Sequence, residues 1–275
     1  MSARVAVSER LCSPRSEAQA ALIAVARTST VRGPGVGLVA EDGDEAQFCS
    51  TCAFGSVCLP YGVDKAALLE LHCLVEHIGP YGPGDRIFRT GDRFDAIYAV
   101  RAGTVKTCLV DDEGREQVLG FHLPGEMVGL NAIHPARYPC DAIALDTVAL
   151  CRFLFPALAT LATRMPGVQQ QLFRLLSHDI GKASVLAGDY SADERLAAFL
   201  IDLSARTTDH GATPPSLRLS MSRSDIANYL RLAAETVSRV LRRFQDQGLV
   251  DVDGRNVAIA RPAELRNVAR AMLRE

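Results

Sequence analysis

Arg223-Ser-Asp-Ile-Ala-Asn-Tyr-Leu230, then Arg231-Leu-Ala233, then Ala234-Glu-Thr-Val-Ser-Arg-Val-Leu-Arg-Arg-Phe244 is the stretch whose reading decides the architecture. Apolar positions recur at helical spacing on both sides of Arg231-Leu232-Ala233, which predicts two short helices, Ser222–Leu230 and Ala234–Gln247, joined by a tight turn. Val237, Val240, Leu241 and Phe244 are expected to face a core. Just beyond, Leu249–Val252 and Val257–Ile259 flank Asp253-Gly254, a pair suited to a two-residue hairpin turn. Upstream, Ser191–Ala205 reads as a further helix. Two helices across a tight turn with a hairpin after them match a winged helix-turn-helix, although a plain helical bundle fits the pattern equally well.

Charge separates these readings. The chain holds 30 Lys and Arg against 32 Asp and Glu, a net charge of −2, so it is no polycation. Between Arg218 and Phe244, however, six arginines (218, 223, 231, 239, 242 and 243) face only Asp225 and Glu235. A local basic patch of this kind neutralises duplex phosphates. The second helix opens Glu235-Thr236-Val237-Ser238-Arg239, and its first turns would enter the major groove. There Arg grips guanine, Glu accepts from cytosine and Ser reaches several base edges. Glu235, Thr236, Ser238, Arg239, Arg242 and Arg223 are the candidate DNA contacts. Glu235 and Arg239 are also spaced i,i+4, which suits a plain surface pair.

Ahead of this region lies a different pattern. From Tyr81 to about Leu154, short β-type segments (Arg86–Phe88, Ala96–Val100, Val105–Val110, Gln117–Phe121 and Ala142–Phe153) alternate with Gly-containing turns, as in an antiparallel barrel or jelly roll. Met165-Pro166-Gly167 then starts a helix running to about Ala187, with an apolar stripe of Val168, Leu172, Leu175, Leu176, Ile180 and Leu186. That stripe suits burial in its own domain or pairing with a second copy. Residues 64–78 have helical spacing after Asp64. Residues 1–45 read as a mostly disordered leader. No apolar run is long enough to span a membrane, and Ala20–Ala26 is too short for a signal peptide, so a cytoplasmic location is expected.

There are eight cysteines. Cys73, Cys108 and Cys140 have apolar flanks and read as small core residues, with Cys12 a bystander. Cys49-Ser-Thr-Cys52-Ala-Phe-Gly-Ser-Val-Cys58 is different, because it puts three thiols within ten residues. Three soft thiolates suit zinc or an iron–sulfur cluster, and either needs a fourth ligand from elsewhere. The six histidines fall in no triad or metal spacing, which argues against an enzyme.

Taken together, Cys49-x2-Cys52-x5-Cys58, Gly120-Phe-His-Leu-Pro-Gly-Glu126, Glu194-Arg-Leu-Ala-Ala-Phe199, Asp225-Ile-Ala-Asn-Tyr-Leu230 and Glu235-Thr-Val-Ser-Arg239 resemble the FNR branch of the CRP/FNR transcription regulators over about residues 47–262. The resemblance implies an α+β chain: a cluster-binding segment (46–60), an antiparallel β-roll (61–165), a dimerisation helix (166–190) and a winged helix-turn-helix (191–275). It implies a [4Fe–4S] cluster on Cys49, Cys52, Cys58 and, from a late strand, Cys151. Oxygen would dismantle that cluster. It further implies a homodimer reading double-stranded DNA with TTGAT-like half-sites through Glu235, Ser238 and Arg239, and RNA polymerase as partner. No cyclic nucleotide is expected, because Leu130 and Pro139-Cys140-Asp141 stand where related receptors hold ribose and phosphate, and an acid repels phosphate.

The sequence departs from that branch in several places. Ile180–Asp193 is about one helical turn short. Ala183 stands where relatives carry an acid, and Arg231 where the turn has Gly, a position that calls for positive φ. Ala233-Ala234 offers no side-chain cap. Arg115 replaces an acid in the loop Asp111–Glu116, which resembles a polymerase-contacting loop. A zinc-stabilised regulator without redox sensing and an iron–sulfur electron carrier are the alternatives, and the second leaves the helix-turn-helix unexplained.

Overall fold

The computed structural model describes Cys58, Leu71 and residues 74–186, 188–208 and 216–273. The expected leader, most of the helix expected over 64–78, and Cys12, Cys49, Cys52 and Cys73 lie outside these. Eight strands come first: β1 (Val75–Tyr81), β2 (Arg86–Phe88), β3 (Ala96–Ala102), β4 (Val105–Val110), β5 (Glu116–His122), β6 (Met127–Val128), β7 (Asp141–Ala144) and β8 (Val148–Leu154). There follow α1 (Phe155–Arg164), α2 (Pro166–Leu186), α3 (Ala192–Thr208), β9 (Ser216–Arg218), α4 (Arg223–Leu230), α5 (Ala234–Asp246), β10 (Val250–Asp253), β11 (Asn256–Ile259) and α6 (Pro262–Val268). The chain divides into two compact units, residues 1–105 with 124–177 and residues 106–123 with 178–275. The β4–β5 hairpin, expected within the β-roll, therefore groups largely with the C-terminal helices.

In the first unit β1, β8, β3 and β6 form an antiparallel sheet in that order, and β2 pairs with β7. Alternation gives the large sheet two faces. Tyr98 stacks with Phe88 of β2, and Phe88 in turn lies 3.9 Å from the Tyr138 ring, so this face looks into the roll. Burial pushes the hydroxyl pKa of Tyr98 and Tyr138 upward. Ile97, Ala99, Cys151 and Phe153 occupy the opposite face, where Ile97 pairs with Phe153 and Ala99 with Cys151. Helix α1 buries Ala157, Leu158, Leu161 and Ala162 in the same core.

Several elements differ from expectation. Val75–Ile78 is strand, not the tail of a helix: Val75 pairs with Phe153 and His77 with Cys151. Pairing with β8 overrides the local spacing, and Val75 and Ile78 are β-branched. The run Ala142–Phe153 is two strands, not one. Between them the Asp146 carboxylate accepts from the Thr104 N–H at 2.7 Å, a side-chain bond that competes with the ladder. Gly103, at φ 79° in the β3–β4 turn, permits this close approach, since a Cβ there would meet the Thr147 carbonyl. Helix α1 has no counterpart in the expected elements. Its Pro156 sits in the first turn, and extended Met165 separates it from α2.

The second unit buries Leu196, Phe199, Leu200, Ile226, Leu230 and Leu249 together with Val237, Val240, Leu241 and Phe244 of α5, as expected for the latter four. Ser222 and Asp225 cap the N-terminus of α4, each side chain accepting from the other's backbone N–H. Ser191 and Glu194 do the same at the start of α3, and these bonds hold the Glu194 carboxyl below its usual range. The hairpin β10–β11 is present, but β9 adds a third strand beside β11, with Val257 opposite Leu217. Among the described residues no helix is long and apolar enough to cross a membrane.

Candidate nucleic-acid interface and thiol centre

Helix α5 is sharply two-sided. Val237, Val240, Leu241 and Phe244 are buried, whereas Glu235, Ser238, Arg239 and Arg242 are exposed and Thr236 is half-buried. The turn before it is set by Arg231, at φ 56° and ψ 46°. The Leu232 N–H reaches the Ala227 carbonyl and the Arg231 N–H the Asn228 carbonyl, the two bonds of a Schellman motif. The expected positive φ at Arg231 is therefore observed. Ala233 caps α5 without a side-chain bond, also as expected. Helix α5 thus presents a first turn without a side-chain cap, a polar outer face and an apolar anchor.

The candidate contacts are not all alike. Arg239 donates to Thr236 Oγ1 at 3.3 Å and Ser238 to the Ala234 carbonyl at 3.1 Å, weak local bonds that a base edge can replace. Arg242 is exposed. Arg243 is tied to Asp193. Arg223 is drawn elsewhere: its Nη2 donates to the Gly254 carbonyl in the hairpin turn at 3.1 Å, while Nη1 is buried without a partner among the described residues. Burial lowers its guanidinium pKa. Arg223 braces the wing against α4 in this arrangement.

Residues of the β4–β5 hairpin complete this unit, although the sequence reading placed them in the β-roll. Lys106, buried, donates to Asp225 at 2.8 Å and to Glu116 at 2.9 Å. Burial disfavours both charges, yet the mutual hydrogen bonds outweigh it, raising the Lys106 pKa and, with Ser222, lowering that of Asp225. Asn228 accepts from the Val118 N–H at 2.7 Å and donates to the Glu116 carbonyl, so one amide reads the backbone of β5 twice. Phe121, Phe199 and Tyr229 cluster edge-on alongside. In the hairpin loop Arg115 bonds Asp111 and Glu113, so the acids there are partly neutralised from within, and this holds the Asp111 carboxyl low.

In the first unit, Cys151 lies mid-strand between His77 and Ala99. Cys58 is buried in the core against which Cys151 also packs. Its Sγ is 4.0 Å from Met127 Sδ. Neither thiol forms a disulfide. Among the described residues no group of three or more His, Cys, Asp or Glu is gathered as a metal site. Cys108 and Cys140 are buried, as expected of core thiols, and burial pushes the Cys140 thiol pKa up. Asp141 is buried and accepts from Arg86 Nε at 3.0 Å and the Thr90 N–H at 2.7 Å. The apolar stripe of α2 splits: Val168 and Leu172 are buried and Leu175 and Leu176 partly buried in the chain's own core, while Ile180, with Phe173, is 60% or more exposed.

Comparison with known proteins agrees with this geometry. Residues 194–268 match the family profile described as Crp-like helix-turn-helix domain, and residues 79–164 that described as cyclic nucleotide-binding domain. The transcriptional activator protein Anr of Pseudomonas protegens is 41% identical over 79% of this chain and 90% of its own. The chain belongs to the FNR/Anr family of transcription regulators. The fumarate and nitrate reduction regulatory protein of Escherichia coli is another FNR relative, 37% identical over 83% of this chain and 93% of its own. Among solved structures, FixK2 from Bradyrhizobium japonicum matches with a TM-score of 0.63 and 27% identity, covering 70% of this chain and 96% of that one. FNR/Anr membership makes α4 and α5 part of the DNA-binding helix-turn-helix domain of a regulator.

Proposed function

We propose that this chain is an oxygen-responsive regulator in which Cys49, Cys52, Cys58 and Cys151 hold a [4Fe–4S] cluster, and that it acts as a homodimer on inverted repeats with TTGAT-like half-sites. The observation that supports this reading is that Cys58 Sγ lies 4.0 Å from Met127 Sδ, while Ala99, the register partner of Met127, also pairs with Cys151. When bound, the cluster supplies an oxygen-labile crosslink between the cysteine segment and β8. The cytoplasm, where thiols stay reduced, suits such a centre.

The chain's own residues do the rest. Cys151 offers a thiol from a strand held on both sides, so its position is fixed before any metal arrives. Phe173 and Ile180 offer an exposed apolar stretch of α2 to a second copy. Two copies would set their recognition helices about one DNA turn apart, each over a half-site. Glu235, Ser238 and Arg239 read base edges, with Thr236 and Arg242 beside them, and Arg223 supports the wing. The Asp111–Glu116 loop is the surface offered to RNA polymerase. A cyclic nucleotide is disfavoured because Asp141 already supplies an anion to Arg86, and Phe88, Tyr98 and Tyr138 stack inside the roll.

Anaerobic purification followed by an absorbance spectrum and iron and sulfide assay tests the reading. The expected result is a visible iron–sulfur band that bleaches in air while operator affinity falls. Cys151→Ala is expected to lose the band. A colourless protein containing zinc that still binds its operator would overturn the redox reading. A band that survives in Cys151→Ala would overturn the fourth ligand.

A further inference from the structure

Helix α2 carries three successive glutamines, and only one is buried. Gln169 and Gln170 are exposed, whereas Gln171 is 4% exposed. Its position, three residues after Val168 and beside Leu172, lies on the stripe that packs into the first unit's core. A leucine would satisfy that stripe without any hydrogen-bond requirement, whereas a buried amide needs partners for both ends. Gln171 has one. Its Nε2 donates to the backbone carbonyl of Cys58 at 3.1 Å, across 113 positions of sequence. Its Oε1 is buried with no partner among the described residues. The reverse orientation of the amide would set oxygen against oxygen, so the orphaned atom is the acceptor.

We infer that Gln171 is a positioning residue that couples the backbone around Cys58 to helix α2, and so links the cysteine segment to the helix that pairs with a second copy. The inference rests on the functional reading above, because it concerns how that centre is felt elsewhere. The physical basis is the half-satisfied amide. The present arrangement keeps the Cys58 carbonyl and leaves Oε1 unmet. A rearrangement of the Cys58 backbone that brings an N–H to Oε1, or that withdraws the carbonyl, changes the balance for the whole side chain. Gln171 sits in close packing between Val168 and Leu172, so α2 responds to that change by shifting rather than by absorbing it. The two sites are then linked reciprocally: whatever favours one backbone state at Cys58 favours one packing of α2, and pairing through α2 favours that state at Cys58 in return.

Two variants test this in the full-length protein. Gln171→Met keeps the length of the side chain and removes both polar atoms, and Gln171→Glu keeps the shape and removes the donor. The first readout uses metal-free protein, in which alkylation of Cys58 is timed by mass spectrometry against Cys140 as internal reference. Loss of the tether is expected to speed Cys58 labelling about tenfold in both variants while Cys140 is unchanged. An unchanged Cys58 rate in correctly folded protein overturns the tether. The second readout compares the dimer dissociation constant with and without the cluster, by sedimentation. The variants are expected to load iron and sulfide as the parent does, but to lose at least fivefold of the difference between the two states. Retention of the full difference overturns the coupling. Should the parent take up no cluster, the functional reading fails, and the labelling comparison still decides whether Gln171 holds Cys58.

Discussion

Arg231 holds a backbone conformation that L-residues with a Cβ adopt only at a cost, and it does so where both closing bonds of α4 depend on it. Replacing it with glycine removes that cost. Arg231→Gly is expected to stabilise the protein by about 1 kcal/mol in urea unfolding, with no change in the helix content of α4. The need for positive φ was legible through the resemblance, because relatives place Gly at that turn. The fate of Arg223 was not. Its partner is a carbonyl 31 positions away in the wing, and nothing in the local pattern distinguishes a phosphate-seeking arginine from one that braces a turn. The same holds for Gln171, which differs from the two glutamines before it only in which way the helix faces.

At the scale of elements, α5 is the most completely specified part of the chain. Its apolar positions define the buried face, and that leaves Arg239 outward with only a weak bond to Thr236. Arg239→Ala is expected to cost about 1–3 kcal/mol of operator affinity and to relax the preference at a single base pair. Fluorescence anisotropy on matched and mismatched half-sites measures both. An equal loss on every sequence would assign Arg239 to the phosphates instead. Elements were legible where a period and a turn signal coincide, as in α4, α5 and the β10–β11 hairpin. They were illegible where tertiary pairing prevails. Val75–Ile78 carries helical spacing but becomes β1 because β8 has an edge to fill, and β9 is only three residues long. The candidate thiol centre was partly legible: the cysteine spacing marked Cys58, whereas Cys151 reads from its flanks as a core thiol and was marked only by the resemblance.

For the second unit as a whole, the Lys106 clasp is the contact that local sequence could not announce, since its partners lie 10 and 119 positions away. Lys106→Met leaves Asp225 and Glu116 facing each other without their cation and is expected to destabilise this unit by about 3 kcal/mol. The pH dependence follows from the two shifts. The Asp225 carboxyl is depressed in the folded state, so its contribution is complete above the unfolded value of about 3.9 and is lost as pH falls through the folded pKa. Lys106 is raised, so its contribution is complete below about 10.4 and is lost as pH climbs through its folded pKa. The stability gap between parent and Lys106→Met, measured by urea unfolding, should therefore be flat from about pH 5 to pH 9 and shrink beyond both ends.

Arg195 has a consequence for how force passes through the molecule. Its guanidinium donates to the carbonyls of Leu186, Gly188, Tyr190 and Leu230, at 2.7 to 3.4 Å. One side chain therefore rivets the end of α2, the short connection after it and the end of α4. A connection fastened at every other residue is a weld rather than a hinge. Any rotation of the last turns of α2 is delivered to the end of α4 without slack.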